Sequence, residues 1–228
     1  MTGASRGIGA AIAIELHRRG FPVAALSRSG EAPAGYGVVC DVSDEEAFKR
    51  AIHEVAARGP IAGLVNNAGA HVAQSSATLS VQDFEHTIRL NTTATLVACR
   101  EVYPHLKAVG DGLIVNIGSF FDKLAVPENL AYCASKAAVA AITRCLAAEW
   151  AKDGLRVLDI APGYIETDLN RDFLARDNVK NWIRKRVPVG RPGTPDEIAR
   201  LVGCLFVERI GFLTGETIYV DGGHGIQH

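Results

Sequence analysis

The strongest constraint on the fold is the order in which short apolar runs and helical segments alternate. Apolar runs recur at 22–27 (PVAALS), 36–41 (YGVVCD), 61–65 (IAGLV), 113–117 (LIVNI), 155–160 (LRVLDI) and 216–220 (ETIYV). Between them lie helical stretches: 8–19, closed by Gly20; one from Ser43 through about Arg58; about Ser80 to Lys107; an alanine-rich 130–152; and one opened by Thr194. A strand that is apolar along its whole length is buried on both faces. That requires a parallel sheet with helices on each side. The expected class is therefore α/β, a doubly wound parallel sheet. Two helix starts carry a capping signature, Ser43 with Glu46 and Thr194 with Glu197, the latter with Pro195 at the first helical position. With no internal repeat or polar linker, residues 1–228 read as a single domain. The stretch 161–193, punctuated by Pro162, Gly163, Pro188, Gly190, Pro192 and Gly193, reads as a functional lid.

One feature conflicts with this order. A glycine-rich turn at Gly3 should follow a first strand, yet only Met1 and Thr2 precede it. That strand is central in a doubly wound sheet, and removing it leaves buried backbone without partners. The expectation is that the start of the sequence lies inside the true first strand.

Composition removes several function classes. The chain is 48% hydrophobic, too apolar for disorder, and its formal net charge is −1 with no basic run. Nucleic-acid and membrane partners gain no electrostatic support. No apolar stretch is read as approaching the roughly 20 residues of a membrane span. The five cysteines form no C-x-x-C pair and their number is odd, so reduced thiols and a cytoplasmic setting are expected. His224 and His228 form no ligand set, and no metal is assigned.

Three motifs carry chemistry. Thr2-Gly3-Ala4-Ser5-Arg6-Gly7-Ile8-Gly9 opens a helix with a glycine turn, where backbone N–H groups and the helix dipole suit a pyrophosphate. Asn66-Asn67-Ala68-Gly69 follows a strand with small residues that let a nucleotide approach the backbone. Ser119 ends a strand, Tyr132 follows, and Lys136 lies four residues beyond Tyr132 on the same helical face. A free tyrosine titrates near ~10. Proton transfer near neutral pH needs a downward shift, which a nearby ammonium would supply.

These pieces occur together and in order with Asn91, Pro162-Gly163-Tyr164-Ile165-Glu166-Thr167 and Val220-Asp221-Gly222-Gly223. The set resembles the short-chain dehydrogenase/reductase family across almost the whole chain. The resemblance implies a Rossmann-like sheet and hydride transfer between a nicotinamide and a ketone or secondary alcohol. By similarity, Tyr132 is the acid–base, Ser119 binds the substrate oxygen, and Lys136 assists Tyr132 and holds the nicotinamide ribose. Asn91 resembles the residue that helps hold a relay water; a mid-helix Asn also bends a helix. Gly3, Ser5, Arg6, Gly7, Ile8 and Gly9 would receive the pyrophosphate, and Asn67, Ala68 and Gly69 the adenosine side. Asp41 and Val42 would lie at the adenine edge, and Pro162, Gly163, Ile165 and Thr167 around the nicotinamide.

The second strand ends Leu26-Ser27-Arg28, with no acid for a ribose 2′-hydroxyl. Arg28, with Arg6, would instead meet a 2′-phosphate, so NADP(H) is expected over NAD(H). The substrate is expected to be a small carbonyl or alcohol. A 3-oxoacyl-carrier-protein reductase is the narrower alternative, weakened by Val109-Gly110-Asp111-Gly112, where a basic face would be needed; Arg171 keeps one basic contact. Phe120-Phe121 either narrow the pocket or pack the loop. Phe173 and Trp182 either cover an apolar substrate or form the core of the lid. A non-catalytic nicotinamide sensor is the reading from another class. The alanine-rich helix offers a close-packing surface, and the family resemblance implies a homotetramer or homodimer.

Overall fold

A computed structural model describes residues 1–168 and 170–226; His228 lies outside them. Among the described residues six strands form, all paired in parallel. These are β1 (Ala24–Ser27), β2 (Tyr36–Val39), β3 (Gly63–Asn66), β4 (Leu113–Ile117), β5 (Arg156–Pro162) and β6 (Thr217–Val220). β1 pairs with β2, and β3-β4-β5-β6 run in sequence order. Met1 and Thr2 join the two groups. Leu26 N–H donates to the Met1 carbonyl, Gly3 N–H to that of Leu26, and Thr2 N–H to that of Val65. Towards the N-terminal ends of β1 and β3, a cavity of about 230 Å³ lies beside Met1, lined by Leu16, Val23, Tyr36, Leu64 and Phe206.

Both faces of the sheet are covered, as the unbroken apolar strands require. On one side α2 (Glu45–Ala57), α4 (Ala94–Val109) and α5 (Leu130–Trp150) bury Phe48, Val102, Leu106 and Leu146 against Ile114 and Val157. On the other, α1 (Gly7–Arg18) and α8 (Pro195–Glu208) pack against each other and bury Ile12, Ile198 and Val202 over Val115 and Ile160. The alternation within β4 decides this: Ile114 belongs to one core, Leu113, Val115 and Ile117 to the other.

Three expectations from the sequence are corrected. First, the α2 cap is Asp44, whose Oδ1 accepts from the N–H groups of Glu46 and Ala47 at 3.0 and 3.1 Å. The Ser43 hydroxyl instead donates to Asp41 Oδ1 at 2.7 Å, so the capping box at Ser43 does not form. The box at Thr194 and Glu197 is complete.

Second, the long helix of 80–107 is divided. α3 (Val81–Ile88) passes into a π-helical turn over Arg89–Thr93 and then α4, and Asn91 sits in the wide turn. Third, one helical stretch, Leu130–Asp153, is long and apolar enough to meet the composition of a span, with a mean hydropathy of 1.3. It covers the sheet, and Ser135 and Lys136 are buried in it. The 161–193 stretch, to which the sequence reading assigned no element, holds regular structure among its described residues. β5 runs on to Pro162, and α6 (Arg171–Leu174) and α7 (Asp177–Arg186) enclose a small core of Leu174, Ile183 and Val187. Its base is pinned where Glu166 N–H donates to Gly193 and Gly193 N–H donates to Tyr164.

The cap assignment has a direct test in urea unfolding. Asp44→Ala should lower stability by about 1 kcal/mol, and Ser43→Ala by less than half as much. The reverse ranking would restore Ser43 as the cap.

Candidate active site

The glycine loop is held by the strand end beside it. Thr2 Oγ1 accepts from the N–H groups of Asn67 and Ala68 at 3.0 and 3.1 Å, and Asn67 Nδ2 donates to the Gly3 carbonyl at 2.9 Å. Gly9 is required by contact: a Cβ there would stand 2.1 Å from the Gly3 oxygen. α1 opens at Arg6 with no side-chain cap and no acid in its first turn, so its leading N–H groups and positive dipole face outward. Ser5, Gly7 and Ile8 lie half-buried around this opening. An anionic pyrophosphate fits such an opening.

Arg6 and Arg28 are exposed and form no ion pair among the described residues. Asp41 is exposed beyond β2. The Ser43 hydroxyl and backbone hold its carboxyl below the usual range, and the charge of Arg28 adds to this. Val42 is buried next to it. At the far end Pro162 closes β5, Ile165 is buried, and the Thr167 methyl would lie 3.7 Å from a Cβ at Gly7, so the base of the segment after β5 stands over the glycine loop. Asn170, unnoticed in the sequence, shapes that base. Its Oδ1 accepts from Thr167 N–H at 2.7 Å and its Nδ2 donates to the Ile165 carbonyl at 2.9 Å. Gly163 lies against Asp221.

Ser119, Tyr132 and Lys136 converge at the C-terminal end of β4. Ser119 is buried, its Oγ accepts from Phe121 N–H at 3.2 Å, and its hydroxyl lies close enough to Tyr132 to act on the phenol. Lys136, buried, donates from Nζ to the Ile117 carbonyl at 2.8 Å and lies 5.7 Å from the centre of the Tyr132 ring. Burial pushes the Tyr132 phenol above its ordinary range and only the Ser119 hydroxyl pulls it down, so the downward shift expected from the sequence is not present in the protein alone. Burial also brings Lys136 down to about 8.

Asn91 is buried. Its Oδ1 accepts from Ala70 N–H, and its Nδ2 donates to the Ala70 carbonyl and to Ser135 Oγ. It therefore ties the loop after β3 to α5. A methyl at Gly69 would touch Asn91 Oδ1 at 3.1 Å and lie 3.9 Å from Lys136 Nζ, which places Gly69 beside both. Beneath the site, Asn66 Nδ2 donates to Asn116 Oδ1, and Asn116 Nδ2 to Thr143 Oγ1, at 2.9 and 2.8 Å.

Asp159 is the charged residue that sequence reasoning passed over. It lies fully buried in β5, its Oδ2 accepts from Thr217 Oγ1 at 3.2 Å, and its Oδ1 has no partner. A Cβ on Gly118 would stand 2.4 Å from that oxygen, so only glycine fits before Ser119. Burial raises the Asp159 carboxyl to about 6, while the Lys136 charge draws it back down. A carboxylate among the apolar residues Val157, Leu158 and Ile160 was the available signal.

A family model described as Enoyl-(Acyl carrier protein) reductase matches residues 3–225. D-threitol dehydrogenase of Mycolicibacterium smegmatis is 34% identical over 241 residues, covering 100% of this chain and 92% of the relative. The chain belongs to the short-chain dehydrogenase/reductase family. The 3-oxoacyl-[acyl-carrier-protein] reductase MabA of Mycobacterium tuberculosis is 35% identical over 230 residues, covering 100% and 92%. Among solved structures, a gluconate 5-dehydrogenase from Burkholderia cenocepacia in complex with NADP and tartrate superposes with a TM-score of 0.91 at 32% identity, covering 100% of this chain and 94% of that one. Family members thus share the doubly wound sheet while their names span polyols, sugar acids and acyl thioesters.

The buried carboxyl sets a pH test. The folded chain raises Asp159 from 3.8 to about 6, so it favours the protonated form. The stability this confers is fully present below pH 3.8 and is lost as pH rises through about 6. In urea titrations, the wild type should lose up to about 3 kcal/mol relative to Asp159→Asn between those limits. Parallel pH profiles for the two proteins would show that Asp159 ionises as easily folded as unfolded.

Proposed function

We propose that this chain is an NADP(H)-dependent oxidoreductase that interconverts a secondary alcohol and a ketone, with Tyr132 as its acid–base. The observation that carries the reading is the convergence of Ser119, Tyr132 and Lys136, with the Ser119 hydroxyl acting on the phenol and the ammonium anchored at the end of β4, 5.7 Å from the centre of the Tyr132 ring. A bound nicotinamide supplies or accepts the hydride. In reduction, the Tyr132 hydroxyl donates its proton to the carbonyl oxygen. The Ser119 hydroxyl donates a hydrogen bond to the same oxygen and stabilises the charge that develops there. Burial keeps Tyr132 protonated, which suits it as the acid. In oxidation Tyr132 must accept a proton as phenolate, and the Lys136 ammonium stabilises that anion. Asn91 acts as a positioning residue, tying the Ala70 loop to α5, and its backbone carbonyl lies next to the Thr95 hydroxyl in the wide turn.

Gly3, Ser5, Arg6, Gly7, Ile8 and Gly9 hold the pyrophosphate, Asp41 and Val42 border the adenine, and Asn67, Ala68 and Gly69 line the adenosine side. Pro162, Gly163, Ile165 and Thr167 enclose the nicotinamide end, while Lys136 and Tyr132 meet its ribose. The exposed Arg28, with Arg6, takes the 2′-phosphate; the NADP complex of the Burkholderia relative supports this choice. The whole chain works as one domain, with 161–193 as a lid. Small-residue faces on α5 support a homotetramer, and five free thiols fit a cytoplasmic enzyme. A sensor without turnover is disfavoured, because it would have no use for the buried Ser119–Tyr132–Lys136 set.

Two substitutions test the reading. Tyr132→Phe should lower turnover by about 10²-fold or more while the calorimetric Kd for NADPH changes little; retained turnover would remove Tyr132 from its role. Arg28→Ala should cut the preference for NADPH over NADH by about tenfold. An unchanged preference would place the 2′-phosphate elsewhere.

A further inference from the structure

Beside Tyr132 stands a continuous aromatic wall assembled from four separate segments. Phe121, after β4, meets the Tyr132 ring edge-to-face at 5.9 Å, and its neighbour Phe120 meets Tyr164, after β5, at 5.2 Å. Tyr164 meets Trp182 on α7 at 5.4 Å and 90°. His224, from the last helical turn, closes the set against Phe120, Tyr164 and Trp182 at 5.3, 5.7 and 5.6 Å. Phe120 and Phe121 are buried, whereas Trp182 is 42% exposed, so the wall has a packed back and an open rim on the lid.

Polar groups are scarce along this surface. Among the described residues the His224 Nδ1 is buried without a partner, and burial favours the neutral imidazole. His71, whose ring stands edge-on to Tyr132 at 4.7 Å, already has its Nε2 engaged by the Asn129 side-chain oxygen. A polyhydroxylated substrate seated against this wall would have only the Tyr164 hydroxyl, the Trp182 indole N–H and one imidazole nitrogen to pair with its several hydroxyls, and each unpaired hydroxyl is costly. A flat hydrocarbon ring would instead gain both burial and edge-to-face contacts.

We infer that the substrate is a ketone, or the matching secondary alcohol, on an apolar cyclic or aryl framework, held against Phe121, Tyr164 and Trp182 with at most one polar substituent facing His224. This rests on the reading of Tyr132 as proton donor, and it separates the chain from relatives named for threitol and gluconate.

The test compares 2-tetralone with 5-ketogluconate and acetoacetyl-CoA. With NADPH, kcat/KM for 2-tetralone should exceed that for either of the other two by about 100-fold, a ratio within reach of a site that leaves buried polar groups unpaired. Trp182→Ala, at the exposed rim, should raise KM for 2-tetralone about tenfold with kcat and NADPH affinity little changed. Binding is measured separately by calorimetry on Tyr132→Phe loaded with NADP, where 2-tetralone should bind and 5-ketogluconate should not. Preference for ketogluconate or the thioester, or no binding of 2-tetralone, overturns the inference while leaving the Tyr132 chemistry intact. Binding of 2-tetralone to a wild-type enzyme that fails to reduce it would uphold the aromatic site and overturn the proposed reaction instead.

Discussion

The architecture depends on a clamp of backbone and side-chain hydrogen bonds around Thr2. Without Met1 and Thr2, β1-β2 and β3-β4-β5-β6 are two separate sheets. Thr2 N–H reaches β3, the Met1 carbonyl and Gly3 N–H reach β1, and the Thr2 hydroxyl receives Asn67 and Ala68. One short segment therefore joins the sheet and also aims the glycine loop at the ends of the parallel strands. Ligand sites in open α/β sheets lie beyond those ends. Sheet continuity and site geometry share the same few bonds, which explains why so many site residues are half-buried rather than displayed on free loops.

Polarity is distributed unevenly around that edge. Below the reacting position lies a layer of satisfied amides and hydroxyls, Asn66, Asn116 and Thr143, fixed within the apolar core. Beside it are Lys136 and Asp159, two buried ionisable groups whose attraction crosses the strand ends without direct contact closing them into an ion pair. Above it the side chains become almost wholly aromatic. A proton donor placed between a polar floor and an apolar roof experiences opposite pulls, and the phenol of Tyr132 follows the roof.

Much of this was legible in the sequence because it rests on local rules. Uninterrupted apolar strands predicted two covered faces, and the four-residue spacing of Tyr132 and Lys136 placed them on one side of α5. What escaped depended on contacts distant in the chain. Asp44 displaced Ser43 as the cap because Ser43 had a better acceptor in Asp41. α7 was hidden among glycines and prolines, although Asp177 at its start and Arg184, Lys185 and Arg186 at its end carry the charge order of a helix dipole. Asp159 and Asn116 were passed over, because the groups around them, Thr217, Gly118 and Thr143, are supplied by other elements.

The π-helical turn at Arg89–Thr93 has a consequence for how this helix can evolve. An extra residue in one turn rotates everything beyond it by about 100° relative to a regular helix. α3 can therefore lie against α5 while α4, its direct continuation, faces α2. A single-residue deletion here would give a smoother helix, but it would swing either Asn91 or the core face of α4 out of alignment. Insertions and deletions are thus barred from the middle of this helix as firmly as from a strand, and length variation is left to its exposed ends.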